Sequence, residues 1–209
     1  MGWLEELKEG FKGDVLDDEE TLKANSRDAS IFEVKPKVVV FPKNEKDVQF
    51  LVNFVNNHKG LSLTARSAGT DMTGGPLTES IVVSFTKYFS KMTYLDQLKA
   101  TVQPGLYYRD FEKEMDKIDV MYPSYPASKS LCAMGGIIAN NAGGEKSLTY
   151  GQTVDHVTRI KAVLADGNTY ELKKLNQTEI NQKIKLKNSL RDLYRIMYDL
   201  CEKNYEIIK

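Results

Sequence analysis

The amino-acid sequence predicts an α+β fold, with a small βαβ unit followed by a larger mixed or antiparallel sheet and flanking helices. Three observations predict it. Short β-branched runs alternate with apolar residues at helical spacing over the first 86 residues. Two strand-like runs flank Asp166-Gly167, a strong hairpin signal. Eight of the 14 glycines fall in two short windows, the first of them directly after a strand.

Taken in order, Leu4 to Glu9 and Asp18 to Asn25 read as short polar helices joined by acidic linkers. Lys37-Val38-Val39-Val40-Phe41 is a strand closed by Pro42. Asn44 is a helix N-cap with Asp47 at the third helical position, Val48, Leu51, Val52 and Val55 follow at helical spacing, and Gly60 stops the helix. Leu61 to Ala65 and Ser80 to Phe85 are strands, so a parallel pair with a crossover helix is expected, with a glycine-rich loop at a strand's C-terminal end. Met92 to Asp96 pairs with Ala100 to Gln103, Pro104-Gly105 turns the chain, and Leu106 to Lys117 is helical. Val157 to Ala165 and Thr169 to Leu172 form the hairpin. Asn176 to Lys209 is mostly helical, with Leu190, Leu193, Ile196, Met197 and Leu200 on one stripe.

Composition narrows the function classes. The chain has 209 residues, 41% of them hydrophobic, which suits one large domain or two small ones with a real core. Its 29 basic residues balance 29 acidic ones, which argues against a nucleic-acid surface. No apolar run approaches the ~20 residues of a membrane span. The acidic start Met1-Gly2-Trp3-Leu4-Glu5-Glu6 lacks a signal peptide's features, and Glu6 breaks the myristoylation pattern. Cys132 and Cys201 lie too far apart for a CxxC metal site, and with only His58 and His156 a histidine-based metal centre is not expected. Cys132 reads as a small buried hydrophobe, and His156 as a hydrogen-bonded structural residue.

The first glycine window runs Arg66-Ser67-Ala68-Gly69-Thr70-Asp71-Met72-Thr73-Gly74-Gly75; the second holds Gly135, Gly136, Gly143, Gly144 and Gly151. From Pro123 to Gly144 the only charged residue is Lys129, so this segment lies close to its own core or to a ligand. No two glycines are spaced i, i+2, which excludes GxGxxG. Gly69 and Gly74 have the first P-loop spacing, but Gly75-Pro76 stands where Lys and Ser/Thr are required, and Glu145 breaks the pattern ahead of Lys146-Ser147. What remains is a run of small residues with unobstructed amides, which suits a diphosphate, and a second small-residue wall, which suits a flat uncharged ring. The plainer alternative is two tight turns that pack helix on strand.

From Lys37 to Leu172 the chain resembles the FAD-binding (PCMH-type) domain of the p-cresol methylhydroxylase / vanillyl-alcohol oxidase flavoprotein family, in the branch of the glycolate oxidase flavin subunit and D-lactate dehydrogenases. The branch pattern RGGGTSLTGG corresponds to Arg66 to Gly75, and its V.PG element to Val102-Gln103-Pro104-Gly105. Its long Pro- and Gly-rich motif corresponds to Tyr122 to Ser128, Ala133 to Gly144 and Tyr150-Gly151, and its closing motif to Asp155-His156-Val157 and Val163 to Gly167.

This resemblance implies an N-terminal helical segment 1–30, an FAD-binding domain 31–175 with subdomains 31–86 and 87–175, and a charged helical segment 176–209. It implies FAD as cofactor. The backbone amides of Ser67, Ala68, Gly69, Thr70 and Asp71 then hold the diphosphate, Arg66, Gly74 and Gly75 belong to the same cofactor-binding window, with Arg66 a structural residue or phosphate neighbour, and Pro126, Ala127 and Ser128 lie near the flavin. Ala133, Gly135, Gly136, Asn140, Asn141, Gly143, Gly144, Tyr150 and Gly151 line the cofactor, and Val157 meets the adenine. Thr70 stands where covalent members carry His, so attachment is expected to be non-covalent. Ser67-Ala68 replaces a Gly-Gly pair, a mild change if both φ angles are negative, and Asp71 must point away from the phosphates. Family members continue into a substrate-binding cap domain, so the chain reads as a truncated part of a larger enzyme. No catalytic or metal-ligating residue is expected in it. The implied whole enzyme oxidises a small 2-hydroxy acid of the D-lactate or glycolate type, with hydride passing to flavin N5 and electrons leaving to an iron–sulfur protein or quinone. The alternatives are a non-catalytic FAD-binding or scaffold module, and a relative of the cell-wall precursor reductase. A cytoplasmic location follows from the features above, with a peripheral membrane position in the full-length complex as a variant of it.

Overall fold

The computed structural model describes residues 2–209, so the first residue of the 1–30 segment lies outside the described residues. The chain forms two compact units, one ending at Val157 and one spanning Thr158–Lys209.

The first unit is built on the apolar triplets that read as strands. Helix α1 (Trp3–Gly10), strand β1 (Asp14–Leu16) and helix α2 (Glu19–Ala24) precede β2 (Val38–Phe41), α3 (Glu45–Asn57), β3 (Leu63–Arg66) and β4 (Ile81–Ser84). The four strands form one sheet in the order β1-β2-β4-β3. Strands β2 and β3 are parallel, as expected, but β4 lies between them, in register Val38↔Ile81 and Leu63↔Ile81. The reason is burial: Ile81 to Ser84 are all buried, whereas β3 is largely half-exposed and takes the edge. Alternate residues of the central strands face opposite layers. Val38, Val40, Ile81 and Val83 pack with Leu7 and Phe11 of the α1 side and Leu51 and Phe54 of α3, while Val39 and Val82 pack with Leu22 of α2. A strand covered on both faces needs an unbroken apolar run, which is what the sequence supplies.

Asn44 caps α3 by accepting from the amides of Lys46 and Asp47. Strand β1, which the sequence left inside an acidic linker, pairs antiparallel with β2, Asp14 facing Phe41. The leading segment thus contributes a strand and three core residues, Leu7, Phe11 and Leu22, to this unit.

After β4 come the antiparallel pair β5 (Met92–Leu95) and β6 (Ala100–Val102), then helices α4 (Tyr108–Asp116), α5 (Met134–Ala139), α6 (Ser147–Tyr150) and α7 (Thr153–His156). Their core gathers Leu106, Tyr108, Phe111, Met115, Tyr125, Cys132, Met134, Ile137 and Ala142. Burial pushes the Cys132 thiol pKa upward, as befits an inert packed thiol.

The second unit holds the hairpin β7 (Arg159–Val163) and β8 (Thr169–Lys173), closed by Asp166-Gly167 with Gly167 at φ +75°. Helices α8 (Gln177–Lys183), α9 (Ser189–Lys203) and α10 (Tyr205–Ile208) follow. Of the expected stripe only Leu190 is buried; Leu193, Ile196, Met197 and Leu200 are exposed. The strands after residue 86 therefore make two separate antiparallel pairs, rather than a single continuous sheet, among the described residues.

Edge strand β1 is fastened by Asp14, whose Oδ2 accepts from Lys87 Nζ at 2.6 Å and from the Tyr88 hydroxyl at 2.7 Å, with Lys43 Nζ 3.3 Å from Oδ1. These bonds, the one from Lys87 first, hold the Asp14 pKa down to about 2, against an ordinary 3.8. A carboxylate depressed in the folded state stabilises fully above its unfolded pKa and loses that contribution as pH falls towards the folded value. Thermal melts of the wild type and Asp14→Asn from pH 4 down to pH 2 should therefore show the steeper fall in the wild type. Equal slopes would remove Asp14 from the acid response.

Candidate functional site

The first glycine window leaves the C-terminal end of edge strand β3 and returns to β4, the position where parallel sheets hold ligands. Its backbone amides divide in two. Those of Thr73, Gly74 and Gly75 are bonded to the carboxylates of Asp71 and Asp28. Those of Ser67, Ala68, Gly69, Thr70 and Asp71 have no hydrogen-bond partner among the described residues. Five consecutive unbonded amides on a half-buried loop leave donors that an anion could satisfy.

Asp71 would be a poor neighbour for that anion if its side chain faced it. It does not: Oδ2 accepts from Thr73 N at 3.0 Å, Thr73 Oγ1 at 2.7 Å and Gly75 N at 2.8 Å. These bonds lower its pKa, the one from the Thr73 hydroxyl most. The carboxylate is occupied in turning the loop. Ser67 and Ala68 have no need of glycine, because among the described residues only Asp119 and Asn141 combine a side chain with positive φ. Gly69 does need to be glycine. Its φ is +69°, and a Cβ there would run into the Arg66 guanidinium.

Arg66 is 9% exposed. Its Nη2 donates to the Arg27 carbonyl at 2.7 Å, while Nη1 is buried without a partner among the described residues. Burial lowers its pKa, and the charge of Asp28 raises it by a smaller amount. The segment after α2 straps the loop from the other side: Ala29 N donates to Asp71 O at 2.9 Å, and Gly74 N to Asp28 Oδ2 at 3.1 Å.

The second window faces the first across Pro104. The Pro104 carbonyl accepts from Ser67 Oγ and from Gly135 N, both at 2.8 Å. A Cβ on Gly135 would stand 2.7 Å from Pro104 Cβ, so only glycine lets α5 begin there. A Cβ on Gly136 would meet nothing nearer than Ser67 Cβ at 4.0 Å, and the Gly136 amide is also unbonded among the described residues. The start of α5 and the first window are thus tied to one carbonyl, each with an unbonded amide beside it. Ala133, the N-cap of α5, is buried beside them.

Beyond α5 the segment is wired to itself. Asn140 is the C-cap of α5. Asn141, at φ +45°, accepts from Val154 N at 2.8 Å and donates to Gln152 Oε1 at 2.7 Å. Gly144 N donates to Ser147 Oγ at 2.9 Å, and a Cβ on Gly144 would strike the Tyr125 carbonyl. Gly143 is exposed beside Ser147. Gly151, at φ +85°, passes its carbonyl to Ser124 Oγ at 2.8 Å. His156 Nε2 lies 3.0 Å from the carbonyl of Tyr150, whose ring is half exposed. Pro126, Ala127 and Ser128 form a turn in which Lys129 N donates to Pro126 O at 3.0 Å and Cys132 N to Ser128 O at 2.9 Å. Val157, half-buried, closes α7. Sequence reasoning misses Pro104 as a hub, although Pro104-Gly105 is legible as a turn. It also misses Arg27 and Asp28, for which no local signal exists.

This arrangement fits FAD. The amides and the unpaired buried guanidinium suit its diphosphate, and the glycine-faced wall suits close approach of a planar group. Among the described residues no three His, Cys, Asp or Glu side chains are grouped to hold a metal, and no helix is long and apolar enough to cross a membrane.

A family model described as FAD binding domain matches residues 36–173. The chain is similar to D-2-hydroxyglutarate dehydrogenase of Escherichia coli (strain K12), at 24% identity over all of this chain and 21% of that protein. It is 31% identical to glycolate oxidase subunit GlcD of Bacillus subtilis (strain 168), over 66% of this chain and 30% of the relative. It is 33% identical to D-lactate dehydrogenase of Archaeoglobus fulgidus, over 62% and 29% respectively. The chain thus spans between about a fifth and a third of the length of these relatives. The solved structure of an alkyldihydroxyacetonephosphate synthase shares the fold, with a TM-score of 0.72 at 21% identity over 85% of this chain and 36% of that one.

Two positive-φ glycines separate backbone strain from collision. Gly60, at φ +84°, has nothing within 4 Å of the place a methyl would take, whereas Gly69 has the Arg66 guanidinium there. Gly60→Ala should cost about 1–2 kcal/mol, and Gly69→Ala clearly more, read as denaturation midpoints at constant m-value. Equal losses would mean that Arg66 does not pack under the loop.

Proposed function

Because this chain belongs to the FAD binding domain family, we propose that it holds FAD non-covalently in the cleft between its two glycine windows. We propose further that the whole protein is an oxidoreductase for a small 2-hydroxy acid. The run of unbonded amides from Ser67 to Asp71 is the observation that carries the first reading. These amides donate to the diphosphate oxygens, with Gly69 keeping the loop in its left-handed turn. Thr70 offers a hydroxyl and no imidazole, which supports non-covalent attachment. Gly135 and Gly136 admit a planar group close to the backbone at the start of α5, and the Pro126 to Ser128 turn borders the same face. FAD, when bound, supplies the two-electron acceptor for oxidation of an alcohol carbon.

The substrate class rests on relatives whose names specify D-2-hydroxyglutarate, glycolate and D-lactate, all 2-hydroxy acids. No side chain of this chain is assigned to activate that substrate. Its own work is to bind and orient the cofactor and to exclude water from the diphosphate. An electron acceptor, an iron–sulfur protein or a quinone, completes the proposed enzyme.

A thermal melt with and without FAD tests the binding reading. Free FAD at about a hundred times its dissociation constant stabilises by about 2.7 kcal/mol, which for a chain of this size raises Tm by roughly 5–10 °C. That shift is expected with FAD and not with NAD or ATP. A cooperative melt unmoved by FAD would refute it.

A further inference from the structure

A row of aromatic rings in the first unit ends on a histidine. Phe11 lies 6.1 Å from Phe50, Phe50 stacks on Phe54 at 5.8 Å, and Phe54 stacks on His58 at 4.1 Å. His58 is the C-cap of α3. Its amide donates to Val55 O at 3.1 Å, and its ring turns back so that Nδ1 lies 2.8 Å from the Phe54 carbonyl. The other nitrogen, Nε2, lies 3.1 Å from Glu6 Oε2 on α1. A cleft of about 280 Å³ opens between the two helices here, with Glu6 and Gly10 on one side and Phe50, Asn53 and Asn57 on the other. The contact from His58 to Glu6 thus bridges a gap instead of adding to close packing.

Both partners of the ring are acceptors. A carbonyl has no proton to give, and neither has an ionised carboxylate. A neutral imidazole carries one N–H and keeps a lone pair on its second nitrogen, so it bonds one partner and repels the other. Only the imidazolium donates to both. Its charge also suits the last turn of a helix and the face of the Phe54 ring. From α1 the charged group that acts on the ring is Glu6. The α3 side chains around the cleft, Phe50, Asn53, Phe54 and Asn57, carry no charge, and Lys59, next in the chain, is not among the groups that act on the ring.

We propose that His58 and Glu6 form a proton-dependent clasp, which fastens α1 to α3 while the imidazole is protonated and loosens that hold once it is neutral. Leu7 and Phe11, which pack with Val38, Val40, Ile81 and Val83, keep the helix on the sheet in either state. The clasp therefore tunes how firmly α1 is held and does not decide whether the unit folds. The bond to the Phe54 carbonyl, and after it Glu6, raises the His58 pKa above its ordinary 6.5, with burial opposing. A group raised in the folded state contributes fully below its unfolded pKa and loses that contribution as pH rises through the folded value. The hold on α1 accordingly weakens on the alkaline side of neutrality.

The test is an NMR titration of the whole chain, following the imidazole Cε1–H resonances. His58 and His156 are the only histidines, so His58→Gln assigns both signals. His58 should titrate above 6.5 in the wild type and lower in Glu6→Gln. Amide exchange of Leu7 and Phe11, corrected for its intrinsic pH dependence, should lose about two- to fivefold in protection as the pH rises through that value, which is the worth of an exposed ion pair. In Glu6→Gln and His58→Gln the corrected protection should stay flat. If His58→Gln does not fold, Glu6→Gln decides, since it alters one exposed carboxylate. A wild-type His58 that titrates at or below 6.5 overturns the clasp, as does the same His58 pKa in wild type and Glu6→Gln. Protection of α1 that ignores pH in the wild type, or falls equally in the variants, overturns it too.

Discussion

One carbonyl sets the geometry on which the site depends. Pro104 O takes two donors, Ser67 Oγ from the loop after β3 and Gly135 N from the start of α5. A carbonyl has two lone pairs and can satisfy both. Proline suits the position because its own nitrogen has no hydrogen to place, and its fixed φ stiffens the point where the loop and α5 meet. Gly105 extends the anchor: its amide donates to Phe89 O at 2.7 Å, and a Cβ there would collide with Phe85 O. On the other side, Leu106 O accepts from Met134 N and Tyr108 N donates to Cys132 O. A short ribbon from Pro104 to Tyr108 thus joins the parallel sheet to the helical half. The two glycine windows face each other because both are tied to it.

From that constraint the glycines sort into two kinds. Gly105, Gly135 and Gly144 are glycines because another backbone passes where a side chain would be. They build the walls. Gly136 has space around it and an unbonded amide, and structure alone does not demand that it be glycine. Gly69 is a third case, with positive φ, an unbonded amide and the Arg66 guanidinium where a Cβ would stand. The alternative of tight turns that merely pack helix on strand accounts for the first kind. It leaves the unbonded amides of residues 67 to 71 and the unpaired guanidinium without a reason.

The central strands are legible in the sequence because burial on both faces removes polar residues from Val38 to Val40 and from Ile81 to Val83. Helix α3 is legible from its Asn44 cap and apolar spacing. Strand β1 is not, since three residues between acidic stretches carry no periodicity, and Asp14 is held in place by Lys87 and Tyr88, 73 and 74 residues away, together with Lys43. The placement of β4 between β2 and β3 is likewise a matter of burial that local pattern does not report. At the site, glycine spacing marks both windows, and the question raised by Asp71 is answered by contacts within the loop itself. The strap of Arg27 to Ala29 is invisible because it acts mostly through backbone groups, which every residue has.

Charge completes the argument. With 29 basic and 29 acidic residues, the chain has no net field to draw an anion from a distance. On the proposed reading, selectivity for a diphosphate comes from short-range order, the unbonded amides of residues 67 to 71. A surface lysine would be less costly to the fold and easier to reach, but it would attract any anion and yield to salt. The Arg66 guanidinium is buried within the field of Asp28, and arginine stays charged across the physiological range.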